Sequence, residues 1–228
     1  MPMQSVQALL KEYRGEVNIA ASSFYAWKSI NNLAAGDASL FSALQRNALS
    51  WNIIAHALQV TFFTALGRLF DRDKRSLTVA TFISGCEGAL TEFSKSAFEA
   101  RRTSENHGVR PGYLDEFMKG LYVPSAADFQ ALTATIAPWE GVYKDKYQPI
   151  RHKLIAHKDL AAIGSSNSLF ANTNIGEVEM LLNVLHQIAT VVEQLFRNGR
   201  LTQPADHKLS EEDYVRQDLE SLLRKVAE

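Results

Sequence analysis

The sequence predicts an all-α protein, and two observations carry that expectation. Apolar residues recur at helical spacing through most of the 228 residues, and the period-two alternation and turn pairs of β-hairpins are nearly absent. A first helix is expected over about residues 5–32, with Val6, Leu9, Leu10, Tyr13, Val17, Ala20 and Phe24 as its buried stripe. Gly36-Asp37 ends the connection that follows. A longer helix is expected over about residues 38–70, carrying Trp51, Ile54, Leu58, Phe62 and Leu66 on a wide apolar face. Asp71-Arg72-Asp73-Lys74-Arg75 then reads as a charged turn, with Ser76 as the N-cap of a third helical region reaching Arg102. Gly85 and Gly88 are costly inside that region and predict close packing or a break.

About residues 103–112 are polar and read as a loop, followed by short helices over about residues 113–122 and 126–136. Pro138 removes a backbone donor, so a new segment is expected to begin there. It carries Trp139, Tyr143, Tyr147, Arg151 and Ile155 at a spacing of four, and Pro149 bends it. A Gly/Ser/Asn-rich loop over about residues 161–174 precedes an amphipathic helix over about residues 175–198, closed by Gly199. A polar connection through Pro204 leads to a last amphipathic helix from Ser210, whose pairing with Asp213 resembles a capping box.

At 46% hydrophobic and 21% charged, the chain can bury a sizeable core, and one large domain is preferred to two small ones. Lys+Arg 24 against Asp+Glu 25 leaves no global field to draw it to nucleic acid or an anionic membrane, so any polyanion site must be local. The single cysteine, Cys86, excludes an intrachain disulfide and reads as a core residue. Lys11, Glu12 and Arg14 interrupt the early apolar stretch where a secretory signal would sit, and His56, Gln59 and Arg68 make the run to Phe70 too polar for a membrane span. A cytoplasmic protein without membrane contact is the default expectation.

His56, His107, His186 and His207 are isolated and read as ordinary core or surface residues. His152 and His157 share one segment with Arg151, Lys153 and Lys158, and from Lys144 to Lys158 the only acidic residue is Asp145. Such a run can be simply a solvated face. The stripe of Trp139, Tyr143 and Tyr147 before it suits either core packing or base stacking beside a basic surface, which makes Tyr147 a candidate substrate contact. No metal or cofactor is expected, because the two histidines are not the i, i+4 pair of a zinc hydrolase and no Glu-x-x-His pair, phosphate-cradling loop or nucleophile elbow is present. An arginine and a histidine without a metal suit phosphodiester cleavage, the histidine moving a proton and the arginine stabilising charge on the phosphorane. On a regular helix, Arg151 and His157 point about 120° apart. Convergence therefore requires local unwinding near Pro149 or Ala156, or two protomers across a two-fold axis.

The segment Ile150-Arg151-His152-Lys153-Leu154-Ile155-Ala156-His157-Lys158-Asp159 resembles the signature of the HEPN superfamily: an arginine, a polar residue, and a histidine a few positions on. It is most similar to the abortive-infection (AbiU-type) branch, as is Gly67-Arg68-Leu69-Phe70-Asp71 followed by Ser76-Leu77. The resemblance implies a HEPN-like bundle of about six to eight helices over residues 1–200, with a C-terminal amphipathic helix over 201–228 packed on or beside it. It further implies a homodimer with facing signatures and a metal-independent endoribonuclease serving as a toxin or phage-defence effector. An antitoxin or nucleotidyltransferase partner would fit that setting.

In that reading His157 is the general acid or base, Arg151 the phosphate ligand, and His152 the polar residue that orients substrate RNA. His152 stands where Asn or Asp is usual. Lys153 and Lys158 would hold neighbouring phosphates. Arg68 and Asp71 would fix the signature helix from behind, with an ordinary surface ion pair as the alternative. Two further readings stay open: a non-catalytic HEPN module binding RNA, a nucleotide or a protein, and a helical interaction protein docking through its first and last helices.

Overall fold

The structure is a computed structural model that describes residues 5–73, 75–156, 171 and 173–227. Every regular element among them is helical, as the sequence predicts. Helix α1 spans Val6–Gly36, and Ser5 Oγ at its start accepts from the Ala8 N–H. No connection follows, because Asp37 immediately N-caps α2, Ala38–Arg46, accepting from the backbone N–H groups of Ser39 and Leu40. The expected single helix over 38–70 is divided: Asn47 leaves helical geometry (φ −125°, ψ 40°) before α3, Ala48–Leu69.

Helix α4, Val79–Gly88, is capped by Thr78 and not by Ser76, because Thr78 and Thr81 satisfy each other's backbone donors in a capping box. The third helical region breaks after Gly88 into a 3₁₀ turn, Leu90–Phe93, and α5, Lys95–Glu105, capped by Ser94. Helix α6 is Leu114–Lys119. Helix α7, Ala126–Val142, runs through Pro138, where a new segment was expected. Pro138 and Ala134, whose carbonyl it leaves unbonded, are both exposed, so water can satisfy that oxygen. A π-helical turn, Tyr143–Tyr147, a short α8, Gln148–Ile150, and a second π-helical stretch, Arg151–Ala156, continue the path. Helix α9, Ile175–Glu193, ends in a π turn, Gln194–Asn198, closed by Gly199 in the left-handed conformation (φ 52°). A Cβ at Gly199 would also lie 2.5 Å from Leu121 Cγ. A 3₁₀ turn, Pro204–Asp206, precedes α10, Glu211–Ala227.

The chain forms two compact units. The first comprises Met1–Arg14, Phe70–Gly141 and Asn183–Lys208. Its core contains a Tyr13–Phe82 stack (4.1 Å between centroids) and Phe93 edge-on to Phe129 and Phe196. Cys86 is buried there, and burial pushes its thiol up to about 12.

The second unit comprises Gly15–Leu69, Val142–Leu182 and Leu209–Glu228. Leu223 of α10 is buried with Ile30, Leu40 and Leu44 of α1 and α2. Lys28 pairs with both Glu179 and Glu212. Burial lowers the pKa of the ammonium, but the two carboxylates outweigh it and leave it raised.

Contrary to the expectation from sequence, Ala48–Leu69 is apolar and long enough to cross a bilayer, as is Ile175–Asn198. Length and composition alone decide that test. In α3 the C-terminal half, with Phe62, Phe63, Leu66 and Leu69, is buried in the protein, while Leu49, Ile53 and Ile54 are exposed.

Candidate functional site

The regular geometry of an α-helix gives way within the charged segment itself. Gln148 donates its backbone N–H to the Tyr143 carbonyl, five residues back. Pro149 has no N–H to restore a four-residue bond, and the chain enters the wider π turn at Arg151. The segment therefore departs from regular α geometry by widening, where unwinding near Pro149 or Ala156 was one of the two expectations.

Tyr143 and Tyr147 point inward and are buried, so this part of the aromatic stripe packs the core. The Tyr147 hydroxyl donates to Glu177 Oε1 at 2.9 Å, and Lys146 pairs with Glu177 Oε2 at 2.6 Å. Burial raises the Tyr147 pKa well above its ordinary value, and the Glu177 carboxylate adds to the effect. The two bonds tie the segment to the first turn of α9.

Arg151 is half-buried and lies across Gly67 of α3. A Cβ at Gly67 would stand 2.2 Å from Arg151 Nε and 2.3 Å from Cδ, so only glycine leaves room for the side chain in this position. Glycine inside a helix costs about 1 kcal/mol relative to alanine, and accommodation of Arg151 is the physical reason for it here. Among the described residues no hydrogen bond or ion pair reaches the Arg151 guanidinium. Half-buried charges ordinarily have partners, so this one is available to an anion.

His152 and Lys153 are exposed. His157 and Lys158 lie outside the described residues, as does most of the loop expected over 161–174. Arg68 is largely exposed and pairs with Glu16 Oε1 at 2.9 Å. Asp71 accepts from the backbone N–H groups of Arg72 and Asp73 and so shapes the charged turn. Arg68 and Asp71 thus each have a different partner. Among the described residues no group of three or more His, Cys, Asp or Glu side chains is placed to hold a metal ion.

Beside Tyr147 a cavity of about 100 Å³ opens in the second unit, walled by Phe24, Trp27, Phe62 and Phe63. Sequence reasoning did not find this cavity, because its walls come from separate helices. It also did not assign a task to Gly67 or Glu177. For Gly67 the signal was present, since a glycine in the middle of an apolar helical run calls for a packing reason.

Comparison with protein-family models gives a match to HEPN_AbiU2, described as AbiU2, over residues 3–217. The chain belongs to the HEPN AbiU2 family. The match takes in the Gly67 and Arg151 segments together. It reaches residue 217, within α10. No curated protein and no solved structure matches the chain.

Proposed function

We propose that this HEPN module is a metal-independent endoribonuclease acting in abortive infection or as a toxin. The observation that carries the proposal is Arg151: a half-buried guanidinium, seated on Gly67, with no anionic partner among the described residues. Such a group suits a phosphate whose charge grows in the transition state.

In the proposed reaction the RNA 2′-oxygen attacks the adjacent phosphorus and the P–O5′ bond breaks. The 2′-hydroxyl proton passes to a base, a proton is delivered to the leaving 5′-oxygen, and a 2′,3′-cyclic phosphate remains. His157 is assigned the proton transfers because its ordinary pKa suits both roles near neutral pH. His152 and Lys153, both exposed beside Arg151, are assigned to the flanking ribose and phosphates. A homodimer is part of the proposal, and the exposed apolar side chains of Phe41, Leu49 and Ile53 support it.

The test is incubation of labelled RNA with the protein and its His157→Ala variant in EDTA. Cleavage by the parent alone, leaving cyclic-phosphate ends, is the expected result. Binding of RNA without cleavage would instead make the protein a non-catalytic HEPN binding module, and equal cleavage by both would remove His157 from the mechanism.

A further inference from the structure

The cavity beside Tyr147 is chemically unlike the basic surface next to it. Phe24, Trp27, Phe62 and Phe63 form its walls, with Val178 and Ile175 from the start of α9. The rings are set at varied angles, Phe24 to Phe62 at 46° and Phe62 to Phe63 at 59°, so they enclose a space and do not stack on one another. The polar residues at its edge are Gln59, Tyr147, Thr173 and Asn174. The Tyr147 hydroxyl is engaged by Glu177, and Asn174 Oδ1 accepts from the Gly176 N–H. Gln59 also lines the cavity, and its carboxamide forms no hydrogen bond among the described residues.

The position of the cavity relative to Arg151 follows from a simple register. Phe63 and Tyr147 both line it, and Gly67 and Arg151, each four residues further along its own segment, touch one another. The Arg151 seat on Gly67 therefore lies four residues, about 6 Å along α3, from the cavity wall at Phe63. That is the order of the separation between phosphate and base within one nucleotide.

We infer that this cavity is a base subsite, taking a pyrimidine of single-stranded RNA next to the phosphate held by Arg151. The inference rests on the ribonuclease reading for its ligand class and adds a specificity to it. Size favours one ring over two: apolar cavities of about 150 Å³ enclose benzene, and this one, partly open to solvent, is about 100 Å³. Aromatic walls supply stacking, which is tolerant of sequence. Gln59 supplies the selective part, because a carboxamide presents a donor and an acceptor in one plane and can turn to match either uracil or cytosine.

The test uses binding, so that it stands apart from catalysis. Tetranucleotides of uridine, cytidine, adenosine and abasic ribose, all 2′-O-methylated so that they cannot be cleaved, are titrated into the full chain by calorimetry. Uridine and cytidine forms are expected to bind about 10-fold or more tightly than the abasic and adenosine forms. Gln59→Leu, at a half-exposed position, should remove most of that preference, and Val178→Phe should fill the cavity and abolish it. Equal affinity for all four ligands, or a pyrimidine preference untouched by either substitution in a folded variant, overturns the inference. Cleavage of ordinary RNA without a binding preference would discard the subsite and keep the ribonuclease. A preference without any cleavage would keep the subsite and discard the ribonuclease.

Discussion

Arg101 in the first unit and Arg151 in the second are both half-buried, yet their surroundings are opposite. Arg101 donates to the carbonyls of Glu92 and Phe196, and its guanidinium lies 3.9 Å from the centre of the Phe196 ring. Burial lowers its pKa, which its neighbours Glu92 and Glu105 partly offset. Its donors hold together the ends of two helical segments. Arg151 rests on the bare backbone of Gly67, with no acceptor among the described residues. The donors of Arg101 are spent on carbonyls, and those of Arg151, unspent at a similar depth, are the ones proposed to meet an anion.

Substitution of each arginine sharpens that contrast. Arg151→Ala is expected to lower RNA cleavage about 100- to 1,000-fold, the usual cost of losing a preorganised charge donor, while urea unfolding changes by less than about 1 kcal/mol. Arg101→Ala is expected to reverse the pattern. Loss of two charge-assisted hydrogen bonds and a cation–π contact should destabilise the fold by about 2–3 kcal/mol, with cleavage per folded molecule unchanged. Equal stability losses in the two variants would break the comparison.

Gly67→Ala tests the seat without touching the arginine. The new Cβ must displace Arg151, so cleavage should fall about 10- to 100-fold. The better helix propensity of alanine should keep unfolding stability within about 1 kcal/mol of the parent. A separate effect on stability is expected from pH. Tyr13, Tyr25, Tyr147 and Cys86 all have pKa values raised chiefly by burial. The folded chain therefore keeps protons that the unfolded chain releases above the ordinary values, about 9 for cysteine and 10 for tyrosine. Stability should hold up to about pH 9 and fall as pH rises past 10, read as a lower urea midpoint at pH 10.5 than at pH 7.5. The smallest effect belongs to Glu16→Ala, which removes the partner of a largely exposed Arg68 and should cost less than about 1 kcal/mol.

Much of the helical layout is legible in the apolar period, and the failures are instructive. The break at Asn47 has no glycine or proline to mark it, only a side chain that tolerates non-helical backbone. Pro138 looks like a boundary, yet its cost is a single lost bond on an exposed face, which a long packed helix can bear. Ser76 and Thr78 are equally good caps on paper, and Thr81, three residues after Thr78, decides between them. At the site, Arg151 and Gly67 both stand in the stretches that resemble the HEPN abortive-infection branch, but only as two separate motifs.

The sequence by itself determined the all-α class, the Gly199 stop, and membership of the HEPN AbiU2 family through residues 3–217. These follow from periodicity, local backbone preference and motif, all readable along one stretch of chain. Only the tertiary structure decided that Tyr143 and Tyr147 face the core, that Arg68 pairs with Glu16, and that Arg151 lies on Gly67 beside an aromatic cavity. Each of those depends on which surfaces of distant helices meet, and packing between distant segments leaves no period or spacing in the sequence to announce it.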